Sequence, residues 1–172
     1  MNRLFSPVFV PNGYNAIMFP KAFQSYVPRS HCVDSQVYGA IVISPNGDFL
    51  VVQGRQSRKW SFPKGHGRLW EKPIEAAIRE LKEETGINLD GVEPSNERRF
   101  LSNKSGSGGT YFIFKLDYLP AVEPEDINEI MDYMWCSPSR LPRLSGNMDL
   151  TTFCRKRCHL DPKLLEPAAR AT

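Results

Sequence analysis

The chain contains 172 residues, of which 41% are hydrophobic and 24% charged, and its formal net charge is +3. This length allows one domain with a proper hydrophobic core, and the composition is ordinary for a globular protein. The mild positive charge permits an anionic ligand but does not by itself indicate a nucleic-acid-binding protein.

The cysteines and the apolar runs indicate a soluble protein, with the cytoplasm as the expected location. Four cysteines in a chain of this length do not form a disulfide framework, and reduced thiols fit best: Cys32, Cys136, Cys154 and Cys158. No apolar run is long enough to span a membrane. The first ten residues are broken by Pro7 and do not resemble a signal peptide. Secretion after removal of a signal sequence stays open.

Residues 1–35 form a predicted N-terminal arm that is rich in proline and aromatic side chains. So many rings argue against simple disorder, and the arm either packs on the domain or covers a substrate as a flap. The main domain is expected over 36–160, followed by a frayed tail over 161–172. Its first two strands are Val37–Ile43 and Phe49–Val52, joined by a tight turn that contains an Asn-Gly pair.

A helix is predicted from Lys72 to Glu84, and Gly86 stands where a helix end favours the left-handed conformation. Its apolar residues recur at helical spacing and are expected to face away from the acidic side: Ile74, Ala77, Ile78 and Leu81. Later segments predict strands at 98–101 and 111–116, a strand ending near Trp135, and a short C-terminal helix over 149–159. Alternating strands and helices predict a sheet covered by helices on both faces.

The acidic side of the predicted helix carries Glu80, Glu83 and Glu84. Residues at i, i+3 and i+4 are neighbours, so these carboxylates share about 100° of the helix circumference. Hard divalent cations with oxygen ligands would relieve their mutual repulsion. The alternative interpretation, which an acidic pair alone would favour, is that these glutamates form an ordinary solvated face of the helix.

The glutamates belong to a longer pattern of fixed spacing. It reads Gly65, five residues, Glu71, seven residues, then Arg79-Glu80-Leu81-Lys82-Glu83-Glu84-Thr85-Gly86-Ile87. Every fixed position matches the Nudix box, so the chain resembles the Nudix hydrolases, which use divalent metal to split a nucleoside diphosphate linked to another group. The resemblance implies an α/β fold, the Nudix αβα sandwich with a mixed sheet, and the strand pattern extends it over about 36–145.

The resemblance also implies roles for individual residues. Three box glutamates would hold Mg²⁺ or Mn²⁺ together with the loop carbonyl near Gly65: Glu80, Glu83 and Glu84. Behind them, Glu71 and Arg79 would form an orienting ion pair. Many Nudix enzymes add a carboxylate from beyond the box as base or extra ligand, and the candidates here are Glu123, Glu125, Asp126, Glu129 and Asp132.

Among these candidates Glu129 is favoured, because Asn128-Glu129-Ile130 followed by Trp135 is similar to the corresponding segment of mRNA decapping enzymes. Glu83, Glu84 and Glu129 are therefore the expected catalytic carboxylates, with Glu129 also a candidate metal ligand. The alternative for Glu129 is an exposed surface acid.

The segment Trp60–His66 narrows the resemblance to three groups of Nudix enzymes. Its Trp-x-x-Pro-Lys-Gly pattern is similar to decapping enzymes, dinucleoside polyphosphate hydrolases and diphosphoinositol polyphosphate hydrolases, and Lys64 is placed to meet a phosphate or is a surface lysine. His66 is common in the dinucleoside polyphosphate group, whereas segments 38–41 and 51–54 look more like the decapping group. Capped RNA is the favoured substrate, and the other two groups are alternatives. A silent cap- or nucleotide-binding module is a further alternative, although the box glutamates are all present.

The loop departs from the usual Nudix pattern at two positions. An acid usually follows three residues after the first glycine and a glycine usually precedes the first box glutamate, but this chain has Arg68 and Trp70 there. Arg68 replaces the usual negative charge with a cation, and Trp70 adds an aromatic ring. Trp70 either stacks on a base, especially a cationic methylated guanine, or packs on the arm.

Overall fold

Within the described residues the chain forms seven strands, the longest of them largely apolar, and two amphipathic α-helices. The computed structural model describes residues 33–89, 91–95, 98–102, 108–125, 128–156 and 160–167. In chain order the elements are β1 (Val33–Ile43), β2 (Phe49–Gly54), β3 (Trp60–Ser61), β4 (Lys64–Arg68), α1 (Pro73–Thr85), β5 (Arg98–Ser102), β6 (Gly108–Lys115), β7 (Ile130–Cys136) and α2 (Met148–Lys156). Short 3₁₀ helices lie at Leu141–Arg143 and Pro162–Leu164.

The strands form one mixed sheet in the order β3-β2-β1-β6-β5, with β4 also paired to β1 and β7 to β2. Strand β1 runs parallel to β6 from the pair Val37–Gly109 to the pair Ile43–Lys115. Its first half pairs antiparallel with β4, and its end turns into β2 through the Asn-Gly hairpin, where Gly47 has φ of 84°. This arrangement lays β4 beside the start of β1.

Each face of the sheet is covered by one helix, because alternate residues of a strand point to opposite faces. Ala40 and Val42 of β1 pack with Ala77 and Leu81 of α1 in one cluster of buried residues. On the other face, β1 packs with α2 in a second cluster built around Phe49, Phe62 and Phe153, whose rings meet edge to face or tilted. The predicted αβα sandwich with a mixed sheet is confirmed.

The limits of the domain differ in part from the sequence prediction. Strand β1 begins at Val33, three residues before the expected start of the domain, and the rest of the arm lies outside the described residues. The tail was expected to fray from residue 161, yet Leu164 and Leu165 pack against the core, and Lys115 Nζ donates to the Glu166 carbonyl at 2.9 Å. Within the described ranges, no helix is long and apolar enough to cross a membrane.

A buried polar contact ties α2 to the sheet. Tyr111 of β6 is fully buried, and its hydroxyl donates to Asp149 Oδ2 at 2.5 Å. The ring sits against Gly39, where an added Cβ would lie 2.6 Å from Tyr111 Cε1. Burial, followed by the negative charge of Asp149, raises the pKa of the Tyr111 phenol well above its ordinary value, so the hydroxyl stays protonated as the donor.

We expect Tyr111→Phe to lower the free energy of unfolding by about 1.5–3 kcal/mol, because a hydrogen bond to a charged acceptor is lost while the ring packing remains. Urea unfolding at pH 7 measures the change. Tyr118→Phe is the matched control, since Tyr118 is half exposed, and should change stability by no more than about 0.5 kcal/mol. Equal stability of wild type and Tyr111→Phe would show that this contact does not hold α2.

Candidate functional site around Arg79

The ends of α1 are set by the sequence on either side of it. Pro73 occupies the first turn, and the Lys72 backbone N–H donates to Glu75 Oε2 at 3.2 Å, which stabilises the helix start. At the other end Gly86 has φ of 72°, and its N–H donates to the Lys82 carbonyl at 2.7 Å. The helix therefore presents its acidic residues at fixed positions beside β4.

Arg79 is the centre of the acidic cluster. Its guanidinium makes a bidentate pair with Glu71, with Nε to Oε1 at 2.8 Å and Nη2 to Oε2 at 3.0 Å. Nη1 also donates to Glu80 Oε1 at 2.6 Å and to Glu83 Oε2 at 3.3 Å, and Nη2 donates to the His66 carbonyl at 2.9 Å. One cation thus holds three carboxylates and the preceding loop.

The Glu71–Arg79 pair that the resemblance implied is present. Glu71 also accepts the backbone N–H of Arg68 at 2.9 Å. Burial opposes its ionisation, but the hydrogen bonds from Arg79 and Arg68 outweigh burial and lower the pKa of Glu71 below its ordinary value. Sequence reasoning missed the bonds from Arg79 to Glu80 and Glu83, although the spacing i, i+4 to Glu83 is a signal for such a pair.

Glu80 lies in a narrow space against the loop. Its side chain is 13% exposed. A Cβ added at Gly65 of β4 would lie 2.1 Å from the Glu80 carboxyl, so any larger residue there would displace this carboxylate from its present position. Burial raises the pKa of Glu80 above its ordinary value, the hydrogen bond from Arg79 works against this rise, and the charges of Glu83 and Glu129 add to it.

Glu84 corrects the expectation that the apolar residues of α1 face away from all the carboxylates. It lies seven residues after Ala77 and three after Leu81, on the same buried stripe, and is itself buried. Its Oε2 accepts the backbone N–H of Lys64 at 3.1 Å. Burial raises the pKa of Glu84 to about 8 against the opposing effect of Lys64, and the charges of Glu80 and Glu129 raise it further.

Glu83 stands on the more open side of the cluster, with 41% of its side chain exposed. Arg68 Nη2 donates to Glu83 Oε1 at 3.3 Å. The cation that replaces the usual loop acid is therefore bound to a box glutamate, with 47% of the Arg68 side chain exposed.

Glu129, on the segment leading into β7, is electrostatically linked to the box. Its negative charge contributes to the raised pKa values of both Glu80 and Glu84. Glu123 and Glu125 lie at the end of α1, where their backbone N–H groups donate to the carbonyls of Thr85 and Glu83.

The last two candidates for the extra carboxylate are placed differently. Asp132 pairs with Gln53 inside the sheet. Asp126 is outside the described residues. These placements leave the sequence-based preference for Glu129 in place.

The donor chemistry of the cluster fits Mg²⁺ or Mn²⁺. Glu80 and Glu83 share Arg79 Nη1, the charge of Glu80 acts on Glu84, and a cation would relieve both this repulsion and the cost of burying Glu84. In the described part of the chain, however, no three acidic, histidine or cysteine side chains converge into a ready-made metal site. Arg79 occupies oxygens of Glu80 and Glu83, so a metal would have to share or replace the guanidinium there.

Two further predicted residues line the loop next to the cluster. Lys64, partly exposed, belongs to β4 and lies near Glu84. Trp70 is 80% exposed, and its φ of 71° is in the left-handed region that favours glycine. This backbone conformation explains why a glycine is usual at the position.

Comparison with known proteins agrees with this architecture. A NUDIX domain family model matches residues 35–154. Phosphatase NudJ of Shigella boydii serotype 4 (strain Sb227) is 30% identical over 110 residues, which cover 62% of this chain and 71% of that protein. A Caenorhabditis elegans Ap4A hydrolase structure superposes with a TM-score of 0.62 at 23% identity, covering 72% of this chain and 96% of the other.

Two decapping proteins are also similar. The mRNA-decapping enzyme subunit 2 of Saccharomyces cerevisiae (strain YJM789) is 34% identical over 103 residues, or 58% of this chain. The m7GpppN-mRNA hydrolase dcap-2 of Caenorhabditis elegans is 32% identical over 111 residues, or 61% of this chain. These matches span 10% and 14% of the two relatives.

The sandwich fold and the box around Arg79 define a Nudix-type site. With a family model matching most of its length, the chain belongs to the NUDIX domain family. The resemblance stated from the sequence is confirmed.

We expect the metal-free protein to lose stability as pH rises from about 5 to 8, and Glu84→Gln to remove part of that loss. The folded-state pKa of Glu84 is about 8 against an ordinary 4.5, so the folded state binds more protons than the unfolded state in this window. The free energy of unfolding must then fall as pH rises. The variant should match wild type near pH 5 and exceed it at pH 8 by an amount on the order of a few kcal/mol.

Urea unfolding in chelator at several pH values measures this difference. Glu75→Gln is the control, since Glu75 lies on the same helix, is exposed, and accepts from the helix start through an oxygen that glutamine retains. A stability gap between wild type and Glu84→Gln that stays constant with pH would contradict the burial of an ionisable Glu84.

Proposed function

We propose that the chain is a metal-dependent Nudix pyrophosphohydrolase that cleaves the 5′ cap of mRNA to release a nucleoside diphosphate. The observation that carries the hydrolytic part is the group of three box glutamates: Glu80 and Glu83 both bind Arg79, and burial raises the pKa values of Glu80 and Glu84. A group of partly buried like charges fits the binding of a divalent cation next to a phosphate chain.

In this proposal Glu80, Glu83 and Glu84 hold Mg²⁺ or Mn²⁺ with the carbonyl near Gly65. The metal, when bound, polarises the phosphate and lowers the pKa of bound water. Arg79 and Glu71 keep α1 and the loop in register, and Lys64 binds an anionic oxygen of the substrate. Glu129 accepts the proton of the attacking water, because its charge is already felt at Glu80 and Glu84.

The preference for a cap rests on Trp70. A bulky side chain in the left-handed region costs about 1–2 kcal/mol, and an exposed tryptophan has little packing to offset that cost. Such strain is concentrated at functional sites. A methylated guanine is cationic and offers a flat face, which suits an exposed ring beside a phosphate-binding loop. The similarity to an mRNA-decapping enzyme subunit and an m7GpppN-mRNA hydrolase supports the same substrate.

The substrate class is tested by product analysis of capped RNA, diadenosine tetraphosphate and an inositol pyrophosphate side by side. The proposal expects release of the methylated nucleoside diphosphate from capped RNA at the highest kcat/KM. If the wild-type chain cleaves inositol pyrophosphate or the dinucleotide and leaves capped RNA intact, the cap assignment is wrong. Cleavage of none of the three at saturating Mg²⁺ favours a silent binding module.

We expect Glu83→Gln to reduce kcat by at least about a hundredfold, the range seen when a charge-stabilising group is removed from an active site. The variant should remain folded, because the Glu83 side chain is 41% exposed and glutamine retains an oxygen that accepts from Arg79 or Arg68. Hydrolysis is measured at increasing Mg²⁺ from pH 6 to 9, with circular dichroism as the check on folding. Wild-type activity should rise with pH and require the added metal.

Glu75→Gln serves as the matched control, because Glu75 is exposed on the same helix and bonds to Lys72 at the helix start, and it should retain wild-type turnover. Undiminished turnover of Glu83→Gln at saturating Mg²⁺, or full wild-type activity in excess chelator, would contradict the metal assignment.

We expect Trp70→Ala to raise KM for capped RNA about ten- to a hundredfold with a smaller effect on kcat, since stacking of one base contributes about 1–3 kcal/mol. Hydrolysis of an inositol pyrophosphate, which has no aromatic face, should change little. Steady-state kinetics measures kcat and KM of the variant and wild type for each of the two substrates.

Arg68→Ala is the comparison variant, because Arg68 contacts Glu83 and offers charge but no base-stacking surface of comparable size. Its effect should be similar on both substrates. If Trp70→Ala weakens both substrates equally, the ring does not select the cap.

A further inference from the structure

The turn between β2 and β3 contacts the segment that carries Glu129 at three consecutive residues. The backbone N–H of Arg55 donates to the Glu129 carbonyl at 2.7 Å. Arg55 Nη2 donates to the Ile130 carbonyl at 3.3 Å, and Arg58 Nη1 lies 3.4 Å from Met131 Sδ. Arg55 and Arg58, both in this short turn, therefore contact the start of β7 through backbone and side-chain atoms.

The same place carries an irregularity in the sheet. Gln53 pairs with Asp132, but the next residue of β2, Gly54, pairs with Ile130, so Met131 is an extra residue in β7. A bulge of this kind bends the strand and changes the direction of the side chains beyond it, and bulges are frequent next to active sites. Glu129 is the first residue beyond the pairing.

The turn itself is held in an unusual conformation. Arg58 has φ of 55°, in the left-handed region. Its N–H donates to the Gly54 carbonyl at 2.9 Å, and the Gly54 N–H donates to the Lys59 carbonyl at 3.1 Å. A Cβ added at Gly54 would lie 2.8 Å from Ser57 Oγ, so the turn is tightly closed. These bonds hold the turn between β2 and β3 in one conformation where it contacts the start of β7.

We propose that Arg55 is a positioning residue that fixes the backbone at Glu129 and so directs the Glu129 carboxylate toward Glu80 and Glu84. This inference rests on the proposed function, in which Glu129 accepts a proton. Arg55 acts through its two hydrogen bonds to consecutive carbonyls and does not touch the substrate. The pair Gly54–Ile130 is the last one between β2 and β7, and the bonds from Arg55 hold the backbone at residues 129 and 130 where this pairing ends.

Hydrogen exchange in the substrate-free and metal-free full chain tests the structural part. Arg55→Ala keeps the backbone donor and removes the bond to Ile130. Exchange at residues 129–131 should speed up at least about fivefold, while residues 133–136 stay as in wild type. Arg55→Lys, which retains a donor, should restore most of the protection.

Lys59→Ala is the control in the same turn, because Lys59 Nζ contacts Ser145 and not the Glu129 segment. It should leave exchange at 129–131 unchanged. Unchanged exchange at 129–131 in Arg55→Ala would overturn the proposal.

A double-mutant cycle tests the functional part, with capped RNA or, if wild type does not cleave it, diadenosine tetraphosphate. Arg55→Ala should lower kcat about tenfold with KM within about twofold, as expected for a misplaced catalytic group. In a Glu129→Gln background the same change should have no further effect, and Arg55→Lys should recover most of kcat.

The outcomes separate the two proposals. If kcat effects of Arg55→Ala and Glu129→Gln multiply, or if Arg55→Ala chiefly raises KM, then Arg55 binds substrate and the positioning role is wrong. If wild type cleaves neither substrate, the proposed function fails, while the exchange result still decides whether Arg55 holds the Glu129 segment.

Discussion

The structure of the site depends on one guanidinium. Arg79 is the counter-charge for Glu71, Glu80 and Glu83 and also binds the His66 carbonyl, so it joins the loop, the box helix and the acidic cluster. Without it, three carboxylates would repel one another in a partly dehydrated space. The burial that would weaken the guanidinium charge is outweighed by Glu71 and Glu80, which raise the pKa of Arg79. The guanidinium therefore stays charged, and a divalent cation at the box glutamates would have to share their oxygens with it or displace it.

The core and the site are connected through Glu84. This residue continues the apolar stripe of α1, contacts the β4 backbone at Lys64, and lies near the buried Tyr111. Tyr111 in turn bonds to Asp149 of α2 on the other side of the sheet. After burial and the charge of Asp149, the negative charge of Glu84 also helps to raise the pKa of the Tyr111 phenol, so the box helix is coupled electrostatically to the contact that ties α2 to the sheet.

Much of the fold was predictable from local patterns. The Asn-Gly hairpin, the box helix and its Gly86 end follow from short-range spacing and turn chemistry, and all are present. The burial of Glu84 could have been read from its spacing to Ala77 and Leu81, but its charge led to the opposite expectation. The left-handed backbone at Trp70 likewise had a signal, because the family usually has a glycine there.

Other features had no local signal. The position of Glu129 near the box depends on a sheet register with a bulge at Met131, and strand register is decided by tertiary pairing between β2 and β7. The bonds from Arg55 to that segment join residues about 75 positions apart in the chain. The sequence alone therefore provides no reason to connect Arg55 with Glu129.

The proposed hydrolysis requires Glu80, Glu83 and Glu84 to form a divalent-cation site. An electron paramagnetic resonance titration of the full chain with Mn²⁺ tests it directly by counting free metal, with wild type, Glu84→Gln and Glu75→Gln compared at pH 8. Wild type and Glu75→Gln should bind Mn²⁺ saturably, and Glu84→Gln should bind it markedly more weakly. Equal Mn²⁺ affinity in all three proteins, or no saturable binding by wild type, would show that the box glutamates do not form this site.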